Sequence, residues 1–120
     1  MDALLSPGWF ATLARRLGEV RVGTADGARL RLGVRVKDAP GGSVTYIVEL
    51  GGAQPCALDL DEAASADVTL VESYETAERI ASGALIADEL ALGAVKLEGN
   101  VQKLLAAQAD LAELSGLLAS

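Results

Sequence analysis

Residues 29–37 read Arg-Leu-Arg-Leu-Gly-Val-Arg-Val-Lys, so that Leu30, Leu32, Val34 and Val36 alternate with Arg29, Arg31, Gly33, Arg35 and Lys37. A helix would spread these cations around its circumference. An unbroken period of two instead demands a strand with one aliphatic face and one cationic face. After the loop Ala39-Pro40-Gly41-Gly42 the pattern returns, with Val44, Tyr46, Val48 and Leu50 set against Ser43, Thr45, Ile47 and Glu49. Two such runs joined by a Gly-rich loop predict an antiparallel hairpin. Glu49 then lies within cross-strand pairing distance of an arginine. The aliphatic side of this hairpin has to be covered, and the rest of the chain must supply the cover.

Several segments have the required patterns. Ser6-Pro7 suits a helix start, since serine caps and proline fits a first turn whose N–H groups lack partners. Phe10, Leu13, Ala14 and Leu17 follow at helical spacing, with Trp9 at the edge of the stripe and Gly18 as a stop. Val20 and Val22 alternate around Arg21 before the Asp26-Gly27 turn pair. Cys56, Leu58 and Leu60 form one face of a further strand, and Pro55 places that strand at a sheet edge. Residues 67–72 read as another strand, Ser73 caps a helix ending at Gly83, and residues 84–92 allow one or two helical turns. The short run Ala94-Val95-Lys96-Leu97 is a last strand. From Asn100 onward, Val101, Leu104, Leu105, Ala107, Leu111, Ala112, Leu114 and Leu118 make the wide apolar stripe of a sheet-covering helix. The expected fold class is α+β, a five-stranded mostly antiparallel sheet with helices packed on one face and the arginine-rich face toward solvent.

The 120 residues suit one domain spanning 1–120. With 51% hydrophobic but only 3% aromatic residues, the core is aliphatic, and such cores readily line a cavity. A net charge of −7 argues against nucleic-acid binding, which depends on Lys and Arg neutralising phosphates. The charge is uneven: residues 1–50 carry seven basic and five acidic side chains, residues 51–120 three and twelve. No run reaches the roughly 18 apolar residues of a membrane span, and the first residues lack the basic start of a signal peptide. Stable membrane insertion is therefore not expected. One cysteine, Cys56, allows no internal disulfide and fits a reducing cytoplasm.

Catalytic material is sparse. There is no histidine, which removes the commonest general base, the commonest metal ligand and any Ser-His or Cys-His nucleophile. Cys56 lies on an apparent core face and reads as a structural thiol. Asp59, Asp61 and Glu62 lack the spacing of a calcium loop and read as a solvated strand end. Neither Gly-rich loop ends in the Lys-Ser/Thr of a phosphate loop. No enzyme, cofactor or metal site is expected. Trp9 and Phe10 suit either a core anchor or a pocket rim.

Residues 66–100 resemble the C-terminal half of a sterol-carrier-protein-2-like domain. The matching positions are Ala66-Asp67, Gly83, Gly93, Lys96, Gly99 and Asn100. The meander from Ala28 to Leu60 agrees in order and length. The segment between Gly83 and Gly93 is about one residue shorter than usual, lacks the common proline, and has Leu90 near the place of a frequent phenylalanine. The resemblance implies that the short strand joins the sheet beside residues 67–72. It also implies a hydrophobic tunnel between the aliphatic sheet face and Tyr74, Ile80, Leu85, Ile86, Leu90, Leu92, Leu104 and Leu105; Trp9 and Phe10, as aromatics suited to a pocket rim, are added to its expected lining. The function implied is that of a small intracellular carrier for a fatty acid, acyl chain or other apolar ligand, without bond chemistry. The alternative is an interaction module of the same fold with a collapsed cavity, acting as a homodimer or an accessory subunit.

Overall fold

The computed structural model of the chain describes residues 4–19, 29–51, 57–60, 66–100, 102 and 114–119. In order they form α1 (Pro7–Glu19), β1 (Arg29–Lys37), β2 (Val44–Gly51), β3 (Ala57–Asp59), β4 (Val68–Ser73), α2 (Tyr74–Ala81), α3 (Ile86–Ala91) and β5 (Val95–Gly99). Residues 114–118 are helical again. The expected strand at Val20 and Val22, the side chains of Arg29 and Cys56, and Asp61, Glu62, Leu104 and Leu105 lie outside the described residues.

The sheet order is β3-β2-β1-β4-β5. The β1–β2 hairpin pairs antiparallel as its alternation demands, with Leu32 opposite Val48 and Arg31 opposite Glu49. β3 is an edge strand, and β5 pairs antiparallel with β4 at the other edge. The only departure from antiparallel pairing among the described strands is β1 with β4. The architecture is therefore α+β with a mostly antiparallel five-stranded sheet.

The core lies on the aliphatic face. Leu30, Leu32, Val34 and Val36 of β1 pack with Tyr46, Val48 and Leu50 of β2 and with Val68 and Leu70 of β4. Above them lie Leu13 and Leu17 of α1, Ala77 and Ile80 of α2, Ile86 of α3, and Leu114 and Leu118. Gly18 does not stop α1, which runs one residue further to Glu19. Arg16, in the last turn of α1, donates to the carbonyls of Leu117 and Ala119 at 3.3 and 3.0 Å, fastening the C-terminal turn to the first helix. Ser115 is buried and its Oγ accepts the Ile86 N–H at 3.1 Å. This supplies the N-terminal partner that Leu85, an apolar N-cap, cannot provide for α3.

The opposite face is less uniformly wet than its arginines suggest, because Ile47 and Val71 are buried on it. Arg31 bridges the carboxylates of Glu49 and Asp59, the latter at 3.1 Å, and so ties β1 across β2 to the edge strand. Asp59 is thus a structural partner. Arg35 reaches Glu98 of β5 at 3.6 Å, with both side chains largely in solvent, where such pairs contribute little.

Ser73 ends β4 in an extended conformation and caps α2, its Oγ accepting the Thr76 N–H at 3.2 Å. Replacing Ser73 with alanine is expected to cost about 1 kcal/mol, measurable as a shift in the urea midpoint at unchanged slope. No helix among the described residues is long and apolar enough to cross a membrane. Among the same residues no cluster of three or more His, Cys, Asp or Glu side chains could hold a metal ion.

Candidate ligand site

The stripe on α1 divides in two. Leu13 and Leu17 turn into the core, whereas Pro7, Phe10, Ala11 and Ala14 form one wall of a groove. Leu58 and Leu60 of the edge-strand segment form the other wall, and Leu5 closes one end. The groove is open, encloses about 520 Å³, and its described lining side chains are all apolar. That volume falls within the range of about 300–1,000 Å³ for small-molecule sites. Leu60, read from the sequence as a core residue, is 51% exposed because it stands at the mouth of this groove.

Leu5 also belongs to a second, smaller cavity, with Leu4, Trp9, Tyr46, Glu72, Ala77, Ile80, Ala81 and Leu118 around it. It holds about 10 Å³, room for a single water-sized group. The aromatic rings lie between the two spaces. Trp9, Phe10 and Tyr46 stack edge to face, with centroids 5.1 to 5.9 Å apart. Trp9 contacts the small cavity and Phe10 the groove. Leu5 adopts a φ of 65°, a region disfavoured for a bulky side chain, at the wall the two spaces share.

Glu72 is the charged residue of the small cavity. It follows Val68 and Leu70 on the inward face of β4 and pairs with Val36 of β1 and Val95 of β5, so its sheet neighbours are valines. It is 6% exposed, and its Oε2 has no hydrogen-bond partner. A buried polar atom left unpaired costs about 1–3 kcal/mol. Burial first, and the Glu89 carboxylate second, push the Glu72 carboxyl up to about 7. Burial, and then the charge of Glu72, also push the Tyr46 phenol above its ordinary value. Glu89 differs because Arg79 of α2 donates to both its oxygens, at 2.9 and 3.3 Å. Chiefly that hydrogen bonding holds Glu89 below the usual carboxylate range.

Of the residues expected to line a tunnel, the structure brings Trp9 and Ile80 together at the small cavity and sets Phe10 in the groove. Ile86 is a core residue, and Tyr74 and Leu90 are half-buried against the core. Leu85 and Leu92 flank α3 and are 49% and 80% exposed, since a helix of six residues turns only part of its surface to the sheet. Glu72 was not among the expected site residues. The signal was present, because the alternation Val68-Leu70-Glu72 places a carboxylate in phase with two core residues.

The fold matches solved structures of sterol carrier proteins. One, a crystal structure of sterol carrier protein 2, superposes with a TM-score of 0.75 at 19% identity, covering 97% of each chain. The solution structure of palmitated SCP2L2 from Aedes aegypti gives 0.63 at 23% identity, over 89% of this chain and 90% of that one. A sec-alkyl sulfatase gives 0.60 at 25% identity, covering 97% of this chain but 17% of the sulfatase. No protein-family model matches the sequence, and no curated protein matches it. The chain therefore has the fold of a sterol-carrier-protein-2-like domain.

Proposed function

We propose that this chain is a cytoplasmic carrier of an apolar small molecule, an acyl chain or comparable lipid, held by burial without bond chemistry. The observation that carries the reading is the groove of about 520 Å³ between α1 and the edge strand, whose described walls are apolar and which abuts a cavity containing one unpartnered polar atom. An apolar trough beside a small cavity that holds the Glu72 carboxyl and Tyr46 suits an amphiphile with a long chain and a small head. Each buried CH₂ contributes roughly 0.8 kcal/mol, and after the loss of ligand freedom a long chain would bind in about the micromolar range. The likeness to a palmitated neighbour supports a long aliphatic chain as the buried part of the ligand.

A second reading, an interaction module or homodimer, draws on the exposed Leu85 and Leu92 and on the occurrence of this fold as a small part of a larger enzyme. Native mass spectrometry followed by organic extraction separates the two. The carrier should release a lipid in stoichiometric amount, and displacement of 1-aminoanthracene should report its binding. Ala14 lines the groove from an exposed helix position, so Ala14→Trp should fill the groove at little cost in stability. It should weaken lipid binding by about ten-fold or more. A protein that carries no lipid, binds no probe and runs as a dimer would establish the interaction module instead.

A further inference from the structure

Resting on the carrier reading, we infer that Glu72 selects the head of the ligand, an apolar molecule ending in a hydrogen-bond-donating group without negative charge, hydroxyl or amine, in preference to a carboxylate. Three independent features of the small cavity lead there. The first is the unpaired atom. Glu72 is 6% exposed, and its Oε2, the atom without a partner, is in the ionised group an acceptor that a donor head would satisfy.

The second is charge. The titratable groups that act on Glu72 from the elements packed around it are the Tyr46 phenol on β2 and the Glu89 carboxylate on α3; the nearest charge beyond them is the Arg79 guanidinium on α2, which pairs with Glu89. Arg79 is engaged by both oxygens of Glu89 and by Glu75 at 3.6 Å. The adjoining positions on β1 and β5 are Val36 and Val95, and α1 contributes Trp9 to the cavity. Among the described residues no cation therefore lines the cavity to receive a carboxylate. An anionic head would meet Glu72 in a poorly hydrated space where like charges repel strongly.

The third is size. A space of about 10 Å³ takes one water-sized group, a hydroxyl or an ammonium, whereas a carboxylate brings two oxygens in a plane. The chain would lie in the groove, which shares Leu5 with the small cavity, so head and tail sites adjoin at that residue.

Trp9 is the single tryptophan and lies on the small cavity, so its emission reports occupancy directly. Delipidated protein is titrated at about pH 8, where Glu72 is mostly ionised, with dodecylamine, 1-dodecanol and dodecanoate, the alcohol below its solubility limit and the two ionic ligands below their micellar concentrations. Calorimetry provides a second readout. The unmodified protein should bind the amine about ten-fold or more tightly than the carboxylate, with the alcohol between them. In Glu72→Gln the amine should lose its advantage over the alcohol, and dodecanoate should gain. Dodecanoate binding as tightly as the amine and the alcohol, or a ranking unchanged in Glu72→Gln, overturns the role of Glu72 and leaves the carrier intact. Absence of binding by all three ligands in both readouts overturns the carrier reading, and the selection with it.

Discussion

Gly99→Ala is expected to destabilise the protein by about 3 kcal/mol, combining the cost of overpacking with that of a disfavoured backbone. Gly99 ends β5 at a φ of 104°, where an L side chain is strained. A Cβ there would lie 2.6 Å from the carbonyl oxygen of Asp67 and 3.2 Å from the Cα of Val68. Both obstacles are backbone and cannot swing away. The Asp67 segment is held on two sides: its N–H donates to the Arg31 carbonyl at 2.8 Å, and its carboxylate accepts the Arg31 N–H at 2.9 Å. Its carbonyl accepts the Asn100 N–H at 2.9 Å, across the same closely approached backbone. The substitution should therefore loosen β5 from β4 as well as lower the global midpoint. Urea denaturation and amide exchange of Val95 to Leu97 would measure the two effects. A stability within about 0.5 kcal/mol of the parent, the range of an ordinary surface change, would refute the close approach.

Glu72→Gln should act in the opposite direction, and only at higher pH. A carboxyl raised from 4.5 to about 7 keeps its proton in the folded chain after the unfolded chain has released its own. Its contribution to stability is complete below about pH 4.5, declines through the interval to 7, and is lost above it. The displacement corresponds to about 3 kcal/mol against folding once the group is forced to ionise. Glutamine keeps the shape and cannot ionise, so the variant should match the parent near pH 4.5 and exceed it by about 3 kcal/mol near pH 8.5. Urea denaturation at those two pH values tests this, and parallel stability profiles would show that Glu72 ionises without penalty. A destabilising carboxylate kept in a valine row is what a binding role would explain, since sites for ligands commonly carry groups that weaken the unliganded fold.

Much of the architecture was readable from local pattern. The nine-residue alternation of β1 determines both its conformation and its inward face, because successive side chains on a regular strand point to opposite faces. Ser73 and Pro7 mark helix starts by chemistry that acts over a few residues. The run ending in Gly99 and Asn100 marked β5 as a short strand, whereas its place beside β4 was what the family resemblance implied; the pairing of Gly99 with Val68 supplies the reason for the glycine, since only a residue without Cβ lets the two backbones approach so closely.

Periodicity could not say which parts of a stripe meet the sheet and which border a groove. Phe10 and Ala14 share a helical face with Leu13 and Leu17, yet the first pair lines the groove and the second is core. Leu85 and Leu92 are as apolar as Ile86, and only the orientation of α3 leaves them in solvent. Glu72 is the sharpest instance. The sequence by itself determined that its side chain points inward, since that follows from strand geometry. Only the tertiary structure decided that Arg79 would be drawn to Glu89, that Trp9 and Leu118 would close over the site, and that one carboxylate oxygen would remain without a partner. Those outcomes depend on contacts between elements far apart in the chain, where distance and dielectric set the energy and residue order carries no information about either.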